Sequence, residues 1–448
     1  MIETFFKSLL YDIFELLNGI AVCFSTNLSW EVALSTFWFL FIIEFPRYYL
    51  LDIITAIRHV FLHKSRRRRD AVARTMLFTE MPLVSILAPG KNEGRHIYKL
   101  VESLREQTYQ NFEIIIVDDG SDDATPIICN DLQRAGYITK FFRLNLGGGK
   151  ACAANFAASH ASGKYIVHLD ADSSLDRDAI EKILLPFYFD RRIKGVGGCI
   201  KVRNAHSSLC STLQALEYLK TIMVGRMGSN MLGIYHIISG AFGAFETETL
   251  RQIGGWAIGP GLDGDITQKL RKAGHKVWFA NDAVCMTNVP TSWAKLFKQR
   301  KRWSKSLVRF RIRKHKDILW SDRNFNFLNM VSNMENILYD FLFNYVWFFY
   351  IIMLFFMNVD RLWEIIVIGY LIRMAFAIVA FGVILIITER PREEAKLFPY
   401  VFVTTFYTGY FLRITRLIAH TAELFFFSSY KDSWNPKKTS AIARAEGI

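Results

Sequence analysis

Apolar positions along this chain follow two regimes. In the middle, short β-rich runs alternate with amphipathic patterns of helical period; towards both ends, apolar residues run on with few charges between them. The β-rich runs are Val84–Ala88, Glu113–Val117 and Lys164–Leu169. Between the first two, Leu100 and Leu104 stand one helical turn apart beside the charged Lys99, Glu102 and Arg105. Alternation of this kind predicts a mostly parallel sheet with helices on its faces, an α/β domain over residues 82–290.

The apolar ends read differently. Residues 1–65 predict membrane or interfacial helices. Within them Val32–Leu51 is long enough to span a bilayer, although Glu44 and Arg47 interrupt it. An acid at that depth faces protein or a water-filled path. Glu3, Lys7, Asp12 and Glu15 suit an interfacial or bundle helix better than a cleavable signal. Residues 291–322 are basic and punctuated by Trp293, Phe297, Trp303, Leu307 and Phe310, the pattern of amphipathic helices lying in the interface. Residues 325–430 read as transmembrane helices. Ile337–Met357 and Trp363–Ile387 are each long enough to cross, and Thr388–Lys396 is a charged loop. Leu397–Phe427 carries Arg413, Arg416, His420 and Glu423 and reads as a span followed by an amphipathic helix. Residues 431–448 form a tail, and no internal repeat is evident.

Composition narrows the class. Of 448 residues, 51% are hydrophobic and 38 are Phe, which disfavours an ordinary soluble protein. The formal charge is +14, concentrated in Arg66–Arg69 and in Lys295–Lys316. Basic clusters beside apolar segments mark the cytoplasmic side of a membrane. Nucleic-acid binding, the competing reading of such charge, lacks any recognisable module. The cysteines (Cys23, Cys129, Cys152, Cys199, Cys210 and Cys285) are scattered, without zinc-ligand or disulfide spacing, and fit reduced thiols facing a cytosol. The expected location is a cell membrane, multi-pass, with the α/β domain cytosolic.

Candidate chemistry sits where the β-rich runs end. The run Tyr165–Leu169 closes on Asp170 and Asp172, alternate carboxylates at the edge of the sheet where α/β domains bind ligands. Two such carboxylates suit Mg²⁺ or Mn²⁺ shared with a nucleotide phosphate. Asp118 and Asp119 end another run at a tight turn and can accept hydrogen bonds from a base or ribose, or simply form an Asx-turn. Gly147–Gly149 allow close backbone approach to a ligand, and Lys150 can neutralise phosphate. This is not a Walker loop, and no Gly-x-Gly-x-x-Gly opens the first helix. In a helix, Gln299, Arg302 and Trp303 share one face and offer an amide, a guanidinium and an indole to a sugar nucleotide. The same residues also suit a plain basic helix on a membrane surface.

Taken in order, Ala88–Glu93, Val117–Asp122, Gly147–Ala151, Asp170–Asp172, Ser239–Phe242, Gly254–Trp256, Gly261–Asp265 and Gln299–Trp303 resemble the family 2 glycosyltransferases with the GT-A fold. More narrowly they resemble the processive, membrane-embedded branch of cellulose, chitin, hyaluronan and poly-N-acetylglucosamine synthases. Gln299-x-x-Arg302-Trp303 is the most specific element. The resemblance implies a Rossmann-like mixed sheet, a GT-A domain inserted between transmembrane helices. It implies that Pro89, Asn92, Glu93, Asp118 and Asp119 hold the uridine of a UDP-sugar, with Lys150 near the nucleotide. Asp172, helped by Asp170, would bind the metal. Gly240, Phe242 and Trp303 would form the acceptor site, and Gln299, Arg302 and Trp303 would cover the donor diphosphate. Asp263 would be the catalytic base. Leu262 stands where the family has Glu, and Lys91 where it often has Tyr or Phe; counting back from Gly274 favours Asp263, with Asp265 as rival.

The function implied is inverting transfer that polymerises a β-linked polysaccharide from UDP-glucose or UDP-N-acetylglucosamine. The growing polymer would be the acceptor and would leave through a channel in the helices after residue 325, with accessory subunits as possible partners. The alternatives are a non-processive transferase acting on a lipid, similar to ceramide glucosyltransferase, and a catalytically inactive channel or scaffold subunit.

Overall fold

The computed structural model describes residues 34–145, 147–257, 261–320, 327–357 and 359–431. The features expected in residues 1–33 and in the tail after 431 lie outside them. Eight strands form one sheet in the order β3-β2-β1-β4-β7-β6-β8-β5. They are β1 (Val84–Gly90), β2 (Phe112–Asp118), β3 (Lys140–Arg143), β4 (Tyr165–Leu169), β5 (Ser174–Leu175), β6 (Ile193–Val202), β7 (Phe242–Glu246) and β8 (Lys276–Thr287). The first four in space run parallel; β7 is antiparallel to both β4 and β6, and β5 to β8. The three strands expected from sequence are β1, β2 and β4. Their near-continuous apolar runs follow from burial on both faces, since helices cover each side of a parallel sheet.

Register places the chemistry. Gly90 pairs with Asp118, so the turn after β1 lies beside the turn after β2. Leu169 pairs with Phe242 across the antiparallel β4–β7 seam, and the Asp170 N–H donates to the Ala241 carbonyl at 3.4 Å. The carboxyl end of β4 and the segment entering β7 therefore meet at one edge.

Helices α1 (Leu51–Phe61) and α2 (His63–Glu80) lead into the sheet, and α3 (Gly94–Arg105) packs Ile97, Leu100 and Leu104 against it. α4 (Lys150–Ser159) opens at Gly149, whose φ of +86° only glycine adopts cheaply. Ala151, Ala153, Ala154 and Ala157 are fully buried, so α4 lies close on the sheet. α5 (Ala179–Phe189) and α6 (Leu209–Glu217) follow; α6 begins with a capping box at Ser208 and Ser211. α7 (Leu262–Lys272) starts after Gly261, φ +89°, and buries Leu262, Ile266 and Leu270 at successive turns.

Beyond β8, α8 (Trp293–Ser306) carries the basic motif. Two helices, Phe327–Met357 (α9) and Val359–Ile387, are long and apolar enough to cross a membrane. The regular α-helical part of the second, Leu362–Ile387, is α10. α9 begins ten residues before the stretch expected to span. That first part is polar on one face: Asn329, Ser332, Asn333 and Asn336 are buried. Asn329 accepts from Arg271 at 2.7 Å and Asn333 from Arg311 at 3.2 Å, so this portion docks on the α/β domain. Most of the segment 397–427 is also helical, ending in α11 (Leu412–Phe426), whose buried Glu423 accepts from Arg313 at 3.0 Å. The five described cysteines are buried and form no disulfide among the described residues.

Candidate active site

The donor-side turns are built from mutual hydrogen bonds. Asn92 takes φ +61°, a conformation asparagine tolerates. Its N–H donates to Ser121 Oγ at 2.8 Å, and its side-chain oxygen accepts from the Asp122 N–H at 3.0 Å. The Glu93 N–H donates to Thr125 Oγ1 at 3.0 Å, and Pro89 lies in β1 opposite Val117. Asp118 Oδ1 accepts from Ser121, so the Asx-turn reading holds for that oxygen; Oδ2 faces Arg143 at 3.6 Å. Asp119 Oδ2 accepts from the Gly149 N–H at 2.9 Å, whereas its buried Oδ1 has no hydrogen-bond partner. A buried acceptor without a donor is costly and points to a ligand group. Burial pushes the Asp119 carboxyl up to about 6, against the pull of the Gly149 and Gly148 amides and Lys91.

The catalytic edge converges on Lys150, the first residue of α4. Its ammonium pairs with Asp170. Although burial opposes it, the charges of Asp170, Asp263 and Asp172 together raise its pKa. Residues from three separate stretches of chain thus share one small electrostatic neighbourhood. Asp172 is pushed up to about 6 by burial and then by Asp170 beside it. Glu93 is pushed up to about 7 by burial and by the same two aspartates. Mutual repulsion of that kind is what a bound cation relieves. Among the described residues no three His, Cys, Asp or Glu side chains form a complete metal cage. Two carboxylates fit a divalent ion completed by phosphate oxygens and water, so the donor set suits a metal that arrives with a diphosphate.

Asp263 lies in the first turn of α7 against Gly240. A Cβ on residue 240 would collide with the Asp263 carboxylate, so glycine there permits the approach. Burial raises the Asp263 pKa, while Lys150 and a backbone hydrogen bond from Gly240 hold it down. Asp265 stands apart from this group. It is buried and bound by Lys314 at 2.6 Å and His315 at 2.8 Å, partners that lower its pKa. Both bonds are to Oδ1; Oδ2 is buried without a hydrogen-bond partner among the described residues, 3.9 Å from Lys269. Phe242 is a correction to the sequence reading: it is 0% exposed, in the core of β7 against Gly198, so its ring cannot touch an acceptor without a rearrangement of the sheet.

Gln299, Arg302 and Trp303 lie on α8 as expected. Gln299 Oε1 is buried without a partner, and Trp303 is 41% exposed. Several neighbours escaped the sequence reading. Arg203 donates to the Asp172 carbonyl at 3.2 Å and to Ser174 and Met286 at 2.7 and 2.8 Å, fixing the loop that carries Asp172. His168 Nδ1 bonds the Gly240 carbonyl at 2.6 Å. Arg226 acts electrostatically on Asp263, and its buried Nη1 lacks a partner. Arg300 pairs with Glu217 at 2.9 Å, Glu217 also accepts from Tyr407 at 2.5 Å, and the Arg300 guanidinium lies 4.4 Å from the centre of the Trp303 ring. Of these, only Arg226 carried a sequence signal, a lone cation within an otherwise apolar helical run.

This geometry has relatives. A family model described as glycosyl transferase family 2 matches residues 85–249. A poly-β-1,6-N-acetyl-D-glucosamine synthase of Staphylococcus epidermidis is 28% identical over 253 residues, 56% of this chain and 61% of that protein. Its namesake from Staphylococcus aureus is 29% identical over 226 residues, 50% and 54% of the two chains. The chain thus spans between about half and three-fifths of the length of these relatives. Among solved structures, a mannosyltransferase of Pyrobaculum calidifontis, in complex with GDP-Man and Mn²⁺, aligns over 84% of this chain and 99% of its own, with TM-score 0.51 and 18% identity, and so shares the fold. The matched region contains Asp118, Asp119, Lys150, Asp170 and Asp172, so residues 85–249 form a family 2 glycosyltransferase domain.

Proposed function

We propose that this chain is a membrane-embedded inverting transferase that extends a β-linked polysaccharide from a UDP-sugar, UDP-N-acetylglucosamine before UDP-glucose. The observation that carries the reading is the shared field at Lys150, where Asp170, Asp172 and Asp263 act on one ammonium. The names of the staphylococcal relatives favour a polymer product over a glycosylated lipid.

In this mechanism Asp119 and Asp118 accept hydrogen bonds from the uridine, supported by the turn of Pro89, Asn92 and Glu93. Lys150 and Arg302 neutralise the diphosphate, and Gln299 bonds it through the amide. When bound between Asp172 and Asp170, Mg²⁺ or Mn²⁺ supplies Lewis acidity to the leaving oxygens. Asp263 takes the proton of the acceptor hydroxyl as that oxygen bonds to the anomeric carbon. The bond from that carbon to the diphosphate breaks, and UDP departs with the electron pair. A positioned base of this kind contributes about 10²–10⁴-fold. Trp303 offers its exposed indole face to the acceptor sugar.

The product strand would pass into the helices after residue 325. The test is incubation of the purified chain with labelled UDP-sugars and Mn²⁺, followed by sizing. A polymer from UDP-N-acetylglucosamine is expected; single-addition products alone would overturn processive synthesis.

A further inference from the structure

A second basic site lies away from the carboxylates, where α1 bends into α2 at Leu62. A cavity of about 170 Å³ opens there, bounded by Arg58, His59, Arg66 and Arg69 on the two helices and by Lys182 on α5. Phe189 and Trp278 form an aromatic wall, with Arg69 stacked 3.9 Å from the centre of the Phe189 ring. Asp70 pairs with Arg69 at 2.7 Å, and Lys182 pairs with Asp178 at 2.9 Å, while Asp282 acts electrostatically on Lys182 and Arg66. Arg66 donates to the His59 carbonyl at 3.2 Å and lies in the field of Asp282 and Asp70, while Arg66 Nε and His59 Nδ1 are buried without a partner among the described residues. Buried polar groups left unpaired are rare enough to call for a ligand, and in the lining itself Lys and Arg outnumber Asp and Glu four to two.

The position of the cavity narrows that ligand. On α1, Ile54, Ile57 and Phe61 form an exposed apolar stripe, Phe61 being 82% exposed. Thr55, His59 and Leu62, on a neighbouring face of the same helix, line the cavity, and Arg58 falls on the seam between the two faces. Lys182 also lies 3.5 Å from Glu389, two residues beyond the end of α10. The cavity therefore opens at the level where an apolar helix ends, with an apolar track running from it.

We propose that this cavity binds the phosphate of an anionic phospholipid from the cytosolic leaflet, with acyl chains along the Ile54–Ile57–Phe61 stripe. The assignment rests on reading α10 as a membrane span; stable incorporation of the chain into phosphatidylcholine nanodiscs tests that reading by itself. A site of this kind would fix the height and tilt of α1 and α2, and through them the catalytic domain, against the bilayer.

The test is native mass spectrometry of the full chain released from nanodiscs containing equal phosphatidylglycerol and phosphatidylcholine. The chain is expected to retain phosphatidylglycerol about 25-fold over phosphatidylcholine. Removing Arg58 or Arg66 should lower that preference about fivefold each, since a basic side chain near the surface is worth about 1 kcal/mol. The double variant Arg58→Ala/Arg66→Ala should reach parity, and Arg66→Lys should keep most of the preference. The double variant Arg67→Ala/Arg68→Ala loses the same charge from exposed positions and should behave as wild type. No preference in the wild type, or equal loss in both double variants, would overturn the site. Displacement of the retained lipid by inorganic phosphate alone would make it a site for a soluble anion and overturn the lipid assignment.

Discussion

At the scale of single residues, the two oxygens of Asp119 separate structure from function. One is satisfied by Gly149, and the other is buried and waiting. Its carboxyl titrates near 6 because burial disfavours the charge. The folded, ligand-free state therefore binds a proton more readily than the unfolded chain. Asp119 accordingly costs stability as pH rises from about 4 to 6, and a donor from the nucleoside offsets that cost only when the carboxylate is ionised. Uridine affinity, followed by saturation-transfer NMR, should rise from pH 5 to 7 and then level, and Asp119→Asn should flatten the profile. The pair Asp263 and Asp265 teaches a related lesson. Both carboxylates were legible in the sequence as candidates, but the choice between them was not. The proposed preference for Asp263 rests on Lys314 and His315, about fifty residues away along the chain, which hold one oxygen of Asp265, whereas Lys150 acts on Asp263.

At the scale of elements, β1, β2 and β4 were readable because strands buried on both faces are short, apolar and β-branched. β6, β7 and β8 were not, because glycine and polar residues interrupt them; Gly197 and Gly198 make room for Tyr235 and Phe242. Phe242 was misassigned for the same reason: a motif says which residue recurs, not which way a strand turns it. α8 shows the opposite case, a motif whose support lies elsewhere. Arg300 sits inside the Gln-x-x-Arg-Trp pattern, and its Glu217–Tyr407 anchor joins α8 to α6 and to the helical segment before α11. Glu217→Gln leaves a buried guanidinium uncompensated and should lower stability by about 3–5 kcal/mol. Tyr407→Phe removes one hydrogen bond, about 0.5–3 kcal/mol, and keeps the ion pair. If the anchor holds Trp303 in place, Tyr407→Phe should raise the acceptor KM with little change in kcat. An equal fall in kcat alone would mean that the anchor serves another end.

At the scale of the whole molecule, polar contacts join the apolar helices to one another and to the α/β domain. Glu44 accepts from Arg373 and Arg413 at 3.0 and 2.5 Å, and the asparagine face of α9 bonds Arg271 and Arg311. The charged residues that interrupt the apolar segments in the sequence are thus each other's partners, which periodicity could not show. If α9 and α10 span the membrane with the α/β domain cytosolic, as proposed, Arg67 lies in the cytosol and the exposed Asp360, between α9 and α10, outside. In a chain lacking Cys23, with its remaining cysteines buried, Asp360→Cys should react with an impermeant maleimide on intact cells. Arg67→Cys should react only after permeabilisation, and the reverse pattern would invert the topology.

UDP release by the purified chain, given UDP-N-acetylglucosamine, Mn²⁺ and an oligosaccharide acceptor, tests the assigned chemistry most directly when wild type is set beside Asp263→Asn and Asp265→Asn. Loss of a positioned base should slow Asp263→Asn by about 10²–10⁴-fold, while Asp265→Asn keeps turnover and loses thermal stability. Equal release from wild type and Asp263→Asn would contradict the site.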